Sequence, residues 1–581
     1  MRRVGIFLLA VIALVAMAGP VSAQPKVTIT GFVDNISTYT HNMSNVDNNY
    51  ARSKDSEWYS RVRVRPDITA EVGTTKFVLG LEIDETFGQT GNLGAGGLCG
   101  GAATTVNGGL GAGTVCSSPQ RAGATAGWML NTDTQGIIEI KWAYTEFDIP
   151  IIPIPTRVRV GAQPWEAHYK LAVLANGDFA GIHVTNQWSP MIKTNFTYAQ
   201  IEEQSTGTRD GFVRGDDFAI VTSIEVTPFK GLDIRPIFSY ANFQGVTSGA
   251  SRQARGGIGT GAAVYPTGNG TVVPGGGLCN PGGGVFVAGC SANSAIEDRF
   301  TVGLDARWRF GPFSLDPTVF YQFGHRDQIN PSFPTAGVLT QMKRDAWFVD
   351  IRGGWQAGPL LLEAAAIYTT GNKAKERIDA GRNSLKFYEP ISTDTSYFAT
   401  WAEIWALGID YFNIVHNTAG GLNPGVAIGY DKYGLKRFGV RGSYALTPAF
   451  TLRSSFNMNW TAHDVDTAST VVAGAGLVPR CAFPAAGQVT GTVAAATFVS
   501  NTAIAGNCID RGTASFLGSE LNLGFQWRFV PNVALDVVGS YMWAGPALSA
   551  HAATNVTTGV ATNARNPQDV QSVVARIRYS W

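Results

Sequence analysis

Runs of strict two-residue alternation between apolar and polar side chains are the feature that most constrains this chain. In the clearest run, residues 57–72, one face carries Val62 and Val64 while the other is charged from end to end. The pattern returns in residues 300–310 and 521–529. A tilted transmembrane strand needs about 9 to 11 residues, whereas strands of soluble proteins usually have about 5 or 6. The alternation therefore predicts an all-β chain whose strands cross a membrane.

Charge and hydropathy argue against two other classes of protein. Charged residues make up 15% of the 581 residues, with 44 Lys+Arg against 43 Asp+Glu. Soluble domains typically carry about a quarter. The near-zero balance argues against a general nucleic-acid binder, and a mean hydropathy of +0.03 argues against a helical membrane protein.

The first 23 residues have the pattern of a secretory signal peptide. Arg2 and Arg3 form a basic start, residues 5–18 form an apolar core, and the small residues at 21–23 form a cleavage site. The alternative is an anchor that is retained, but the core is short for a membrane span. We expect cleavage after Ala23, export to an oxidising compartment and one barrel domain over residues 24–581.

The connections between the predicted strands alternate between tight turns and long segments rich in Gly, Thr, Asn and Ala. Tight turns are predicted at residues 73–75, 189–190, 228–231, 311–312, 358–359, 447–448 and 531–532. Long loops are predicted near residues 43–55, 89–134, 166–177, 205–215, 246–296, 327–343, 371–433, 464–513 and 546–568. Short periplasmic turns and long extracellular loops are typical of outer-membrane barrels, which are closed because hydrocarbon offers no partner for an unpaired strand edge.

The predicted fold is thus a transmembrane antiparallel up-and-down β-barrel, and parity requires an even number of strands. The sequence favours 18. Residues 397–411 could instead form a strand that pairs with residues 426–433, which would give 20, or residues 400–407 could form a short helix in a loop folded inward.

The C-terminal segment carries the most specific short signal. Val573, Ala575, Ile577 and Tyr579 alternate with polar residues, and the sequence stops at Trp581. This segment resembles the signal by which Gram-negative barrels are recognised for membrane insertion. The resemblance implies the barrel-assembly machinery as a partner.

Six cysteines lie two by two in three of the predicted long loops, 89–134, 246–296 and 464–513. Pairing within each loop keeps every bridge local and predicts three disulfides. They are Cys99 with Cys116, Cys279 with Cys290, and Cys481 with Cys508.

Motifs of catalytic chemistry are missing from the sequence. The seven histidines have no ligand-like spacing, and no phosphate-binding glycine loop, haem-attachment or hydrolase motif occurs. The grouping Trp165-Glu166-Ala167-His168 is interpreted as exposed polar residues of a loop. We predict that the protein is not an enzyme and binds no metal or cofactor.

Arginines recur in the middle of the predicted strands. Each would cost about 2 to 4 kcal/mol facing lipid at the midplane, so they must face the lumen. The predicted pore-lining residues are Arg61, Arg63, Arg65, Arg235, Arg307, Arg309, Arg576, Arg578, Asp67 and Asp305.

These inward charges have two interpretations. One is a neutralised structural ladder that holds the wall rigid. In the other, barrel closure places residues 61–65 and 576–578 on the two sides of the first strand. This basic stripe predicts a mild preference for anions.

The whole pattern resembles the large Gram-negative outer-membrane porins. More loosely, residues 158–163, 179–184 and 410–412 look like the alginate-export type of 18-stranded barrel. The resemblance implies passive diffusion of small hydrophilic solutes, contact with outer-membrane lipid and a homotrimer. Two alternatives are export of an acidic polysaccharide and a structural barrel around a partner such as a multihaem cytochrome.

Overall fold

The computed structural model describes most of the predicted strands together with parts of their connections. The described residues are 25–42, 56–87, 138–170, 173–202, 217–243, 297–329, 339–373, 384–391, 401–405, 408–409, 433–465, 514–548 and 568–581, and the short segments 103–105, 114–116, 128–130, 469–472, 476–479, 553–554 and 561–562.

Eighteen strands form one sheet. They are β1 Lys26–His41, β2 Ser56–Val72, β3 Thr75–Phe87, β4 Glu139–Asp148, β5 Thr156–Glu166, β6 Asn176–Ser189, β7 Ile192–Glu202, β8 Asp217–Phe229, β9 Leu232–Phe243, β10 Glu297–Phe310, β11 Phe313–Ile329, β12 Leu339–Ala357, β13 Leu360–Thr369, β14 Leu435–Thr447, β15 Phe450–Val465, β16 Ala514–Val530, β17 Val533–Ala544 and β18 Val570–Ser580. The short strand Trp128–Leu130 joins the same sheet as a nineteenth strand by pairing parallel with residues 85–87 of β3. Other short strands lie outside this sheet at residues 103–105, 114–116, 469–472, 476–479, 553–554 and 561–562, and Pro546–Leu548 forms a 3₁₀ turn.

Each strand pairs antiparallel with the next, and the last pairs with the first. The β18–β1 pairing runs from Phe32 opposite Ser580 to His41 opposite Gln571. The sheet therefore closes into the predicted 18-stranded barrel. All seven predicted tight turns are confirmed, and an eighth turn, which the sequence did not reveal, joins β4 to β5 through residues 149–155.

The two faces of each strand lie in different environments. On β14, Leu435 and Arg437 are buried inside the barrel, whereas Phe438 and Val440 are exposed on the outer surface. The same alternation leaves Leu304 of β10 and Ile351 of β12 exposed. Apolar side chains thus face outward and polar ones inward, as the alternation predicted.

The ambiguous interval 371–433 adds no strand in the part that the structure describes. Residues 401–405 and 408–409 form turns and bends, and Ala402 and Ile404 are buried. The count of 20 is therefore wrong, and the described part of residues 400–407 folds inward without forming a helix. Among the residues described, no helix is both long and apolar enough to cross a membrane.

Two predictions fall largely outside the described residues. The predicted signal peptide, residues 1–23, is not described. Of the six cysteines, only Cys116 lies in a described segment, the short strand Thr114–Cys116. The signal peptide and the disulfides stay predictions.

Candidate functional site

The tip of the β5–β6 hairpin leaves the barrel wall and enters the lumen. β5 and β6 stay paired as far as Glu166 opposite Asn176. β4 pairs with β5 only as far as Ala162, and β7 pairs with β6 only as far as Ala180. The hairpin therefore bends inward as a unit and carries residues 167–170 and 173–175, which we call the inner loop, into the barrel.

Two facing glycines allow this bend. Gly161 of β5 lies opposite Gly181 of β6, and both have positive φ angles, 124° and 155°. A β-carbon on Gly161 would lie 2.2 Å from the carbonyl oxygen of Ala143, and one on Gly181 would lie 2.0 Å from that of Tyr198. Only glycine fits this close approach of backbones without strain.

Lys170 fixes the inner loop to the opposite wall. Its Nζ donates to the carbonyl oxygens of Asp316 at 2.9 Å and Asp350 at 3.1 Å, and to the hydroxyl of Thr318. The carboxylate oxygens of Asp350 and Asp305 lie 3.7 and 3.9 Å from it. Burial lowers the pKa of Lys170, and the two carboxylates oppose that shift. The ammonium group thus takes part in contacts to three strands, β10, β11 and β12.

His168 organises the inner loop from within. Its Nε2 accepts the backbone N–H groups of Leu174 at 3.0 Å and Ala175 at 2.7 Å. Complete burial, with nearby Arg235 and Lys170 adding to it, lowers its pKa to about 3. The imidazole is therefore neutral, as an acceptor of two N–H groups must be. The expectation that this histidine is an exposed loop residue is wrong, because the loop folds inward.

Tyr169 lies next to two of the predicted pore-lining arginines. Its backbone N–H donates to Asp305 Oδ2 at 2.5 Å. The guanidinium carbons of Arg235 and Arg307 lie 4.1 and 3.8 Å from its ring centre, within the range of cation–π contact. Burial raises the pKa of Tyr169 to about 12.

Residues 384–391, which we call the inner strap, come from the long segment between β13 and β14 and are also held by buried charges. Glu389 Oε2 accepts from Arg299 at 3.0 Å and from Arg344 at 2.5 Å. Both arginines also pair with buried Glu297, at 2.7 and 2.8 Å. Gln322 exchanges two further hydrogen bonds with the backbone of Glu389. Two arginines and two glutamates thus balance one another around the strap.

A third inward segment, residues 401–405 or the inner turn, is held by Glu520 of β16. The buried carboxylate of Glu520 accepts the backbone N–H groups of Glu403, Ile404 and Trp405 at 2.6, 3.1 and 3.0 Å. Three donors on one carboxylate fix the turn against the wall.

The three inward segments share a hydrophobic cluster with the inner wall. The cluster includes inward residues from β5 to β18 and residues of all three segments. Its largest completely or nearly completely buried members include Tyr388, Phe243, Phe320, Phe348, Leu174 and Ile404. Part of the lumen is therefore filled by side chains packed as in a soluble core.

A second set of inward residues, on β1 to β5, β15, β17 and β18, is charged. Four carboxylates of this set, which with their cations we call the basic wall, each hold two or three cations. Glu82 pairs with Arg63, Arg65 and Lys141; Glu146 with Lys76, Arg157 and Arg159; Asp34 with Arg576 and Arg578; and Asp536 with Arg453 and Arg576.

Within the basic wall, the cations lie nearer to solvent than the carboxylates. The side chains of the four acids are 0–11% exposed, whereas those of their cationic partners are 14–47% exposed. Two of these cations also pair with exposed carboxylates: Lys141 lies 2.8 Å from Asp178 and Arg157 lies 2.8 Å from Asp148, whose side chains are 41% and 42% exposed. The inward surface of the basic wall is therefore mainly, but not entirely, cationic.

The strand register explains how the basic wall forms around β1. Asp34 lies opposite Arg63 on β2 and Arg578 on β18, and the ring of Phe32 lies 5.7 Å from the guanidinium carbon of Arg65. The same ring lies 4.2 Å from that of Arg578. The two rows of arginines thus reach the two sides of β1, as closure requires. Asp34 was not among the predicted pore-lining residues, although it alternates with the outward side chains of β1, such as Ile29.

The remaining predicted residues lie elsewhere. Arg61 is buried opposite Ile36, and Asp67 lies opposite Thr30 on β1. Arg309 forms a two-pronged pair with Asp316 near the turn between β10 and β11. Asp305 and Arg235 are buried beneath the inner loop. The predicted pore-lining residues thus lie in different places: Arg63, Arg65, Arg576 and Arg578 belong to the basic wall, and Asp305 and Arg235 support the inner loop.

No group of three or more His, Cys, Asp or Glu side chains within the described ranges is arranged to hold a metal ion.

Comparison with known proteins gives matches only among solved structures. No family model and no curated protein matches the chain. Pseudomonas aeruginosa OccK8 (OprE) matches with a TM-score of 0.43 and 9% identity over 96% of this chain and 98% of that chain. The outer membrane protein OpdK of the same organism matches with a TM-score of 0.43 and 8% identity over 96% and 99%. OpdL matches with a TM-score of 0.42 and 9% identity over 96% and 99%.

The location follows from the barrel itself. A closed ladder leaves no unpaired edge, and its outward face is apolar, as hydrocarbon requires. Exposed aromatic rings mark both ends of the strands: Trp308, Phe310 and Phe313 at a tight turn, and Trp347 and Trp543 toward the long loops. The barrel spans the outer membrane of a Gram-negative cell.

Proposed function

We propose that this protein is a porin that gives passive diffusion of small hydrophilic solutes and prefers anions. The observation that carries the proposal is the exposure order of the basic wall, where cations cover buried carboxylates. The four carboxylates share nine cations, so the basic wall keeps a net positive charge, and a permeating anion meets the exposed cations before the buried carboxylates.

The filled part of the lumen supports a limit on solute size. The inner loop, strap and turn lie inside the barrel, so the open path is narrower than the barrel. A structural sheath around a cytochrome would need that space, so the packing of these segments does not favour it.

Export of an acidic polysaccharide is the second candidate, since the basic wall would also attract a polyanion.

The test is a reversal-potential measurement in planar bilayers under a KCl gradient. We expect anion selectivity in the wild type and a shift toward cations in the double variant Arg453→Gln, Arg578→Gln. Lys436→Gln is the matched control, because Lys436 lies on the outer face of β14. Cation selectivity that the double variant leaves unchanged would contradict the proposed anion preference.

Liposome swelling separates the two candidate functions. Uptake of small sugars, with a cut-off that excludes an acidic oligosaccharide, supports diffusion. Faster uptake of the acidic oligosaccharide supports export.

Further proposals accompany this function. They are insertion by the barrel-assembly machinery through β18 and Trp581, a homotrimer, a cleaved signal peptide over residues 1–23 and three disulfides within the long loops. The sequence patterns support the insertion signal, the peptide and the disulfides, and only the resemblance to porins supports the trimer.

A further inference from the structure

The inner loop and the inner strap contact each other inside the barrel. The hydroxyl of Tyr388 donates to the carbonyl oxygen of Val173 at 2.8 Å, although the two residues are 215 positions apart. The backbone N–H of Ile391 donates to the carbonyl oxygen of Leu174, also at 2.8 Å. Tyr388, Val173 and Leu174 are buried. Two distant segments are thus joined by two hydrogen bonds shielded from water.

A line of rings joins the same segments to the wall. Tyr388 lies 4.9 Å from Phe348, Phe348 lies 6.0 Å from Phe320, and Phe320 lies 5.8 Å from His168 of the inner loop. If either segment moved away, the other would expose part of this apolar surface. Opening one segment therefore raises the free energy of keeping the other in place.

Each segment has its own charged attachment on the same group of strands. Lys170 contacts Asp305, Thr318 and Asp350 on β10, β11 and β12, and Glu389 pairs with arginines of β10 and β12. Departure of Lys170 would remove a nearby cation from buried Asp305 and from buried Asp350, although Asp350 keeps its pair with Arg352. Removing a cation from buried carboxylates is costly.

We propose that the inner loop and the inner strap form a single body, positioned by Lys170 and Tyr388, which sets the width of the diffusion path and moves as one unit. This inference rests on the proposed diffusion function. Lys170 and Tyr388 are positioning residues, because they hold the constriction and need not touch the solute.

Hydrogen exchange on the full-length protein in lipid nanodiscs tests the single body without relying on transport. Lys170→Met removes the ammonium of the loop and Tyr388→Phe removes one hydroxyl of the strap. We expect each variant to speed amide exchange in both segments by about tenfold or more, because cooperative units open together. Lys436→Met and Tyr444→Phe are matched controls, since both side chains lie on the outer face of β14. Faster exchange confined to the mutated segment would overturn the inference.

Single-channel conductance tests the positioning role. Both single variants should have a higher conductance than the wild type. The double variant should have a conductance no higher than that of the more conductive single variant, because either substitution already releases the whole body. Additive increases, or variants that conduct like the wild type, would overturn it. If the wild type showed no conductance, the proposed diffusion function would be contradicted. The hydrogen-exchange result would then still decide whether the inner loop and the inner strap form a single body. The mild Tyr388→Phe keeps the test decisive if Lys170→Met fails to fold.

Discussion

The backbone of Gly31 exchanges two hydrogen bonds with that of Trp581, each 3.1 Å long. This contact continues the β18–β1 seam to the last residue of the sequence. A β-carbon on Gly31 would lie 2.3 Å from the carbonyl oxygen of Arg65 and 2.8 Å from the indole of Trp581. The seam therefore has room for a terminal tryptophan only because residue 31 has no side chain.

We expect Gly31→Val to impair barrel closure, because the new side chain would push Trp581 or β2 away. The folded fraction, measured by the heat-dependent shift in gel mobility, should fall clearly. Gly539→Ala is the control, since a β-carbon at Gly539 meets nothing within 4 Å. Equal folded fractions for the two variants would show that the contact at Gly31 does not limit closure.

We expect Glu82→Gln to strengthen anion preference. Arg63, Arg65 and Lys141 share this carboxylate, so its neutralisation makes the charge at the lumen surface more positive by one unit. The reversal potential under a salt gradient should shift further toward anions. Asp345→Asn, on the exposed face of β12, should produce no such shift. A shift toward cations would mean that Glu82 does not control the lumen potential.

Acid should weaken the packing of the inner loop. The pKa of His168 is about 3 in the packed loop and 6.5 ordinarily, so between these values a released loop binds a proton and the packed one does not. The free energy that His168 packing contributes to holding the loop in place is complete above pH 6.5 and falls as pH drops toward 3. Brief openings in single-channel records should become more frequent at pH 4.5 than at pH 7. In His168→Gln, which cannot take up this proton, the opening frequency should no longer depend on pH. If the pH dependence were unchanged, another titratable group would be responsible for it.

Glu520 should be essential to the inner turn. Glu520→Leu removes the acceptor of three buried N–H groups, and we expect it to destabilise the turn by about 3 kcal/mol, whereas Glu520→Gln, which keeps one oxygen, should cost about 1 kcal/mol. Amide exchange at residues 403–405 measures both. Equal exchange in the two variants would mean that the turn is held by its apolar contacts alone.

The barrel could be predicted because its signals are local. Alternation along β14 and β15 gives the two faces, and dipeptides such as Gly358-Pro359 give the turns. Each signal depends on neighbours in sequence and on whether a side chain meets lipid or water.

The interior could not be predicted in the same way. Lys170 finds its acceptors 146–180 positions later in the chain, and no periodicity in its loop indicates them. The sequence predicts an exposed His168, because an isolated loop histidine usually is exposed. Gly161 and Gly181 lie in two segments that resemble the alginate-export type of barrel, but their role in bending the hairpin depends on which strands pair.

The hydrophobic cluster inside the lumen makes the width of the internal space independent of the width of the barrel wall. Strand number fixes the girth of the wall, whereas the space left inside it depends on packed side chains of short segments that lie outside the 18-stranded ladder. Under the proposed diffusion function, substitutions in these segments would change which solutes pass and would leave the membrane-facing surface as it is.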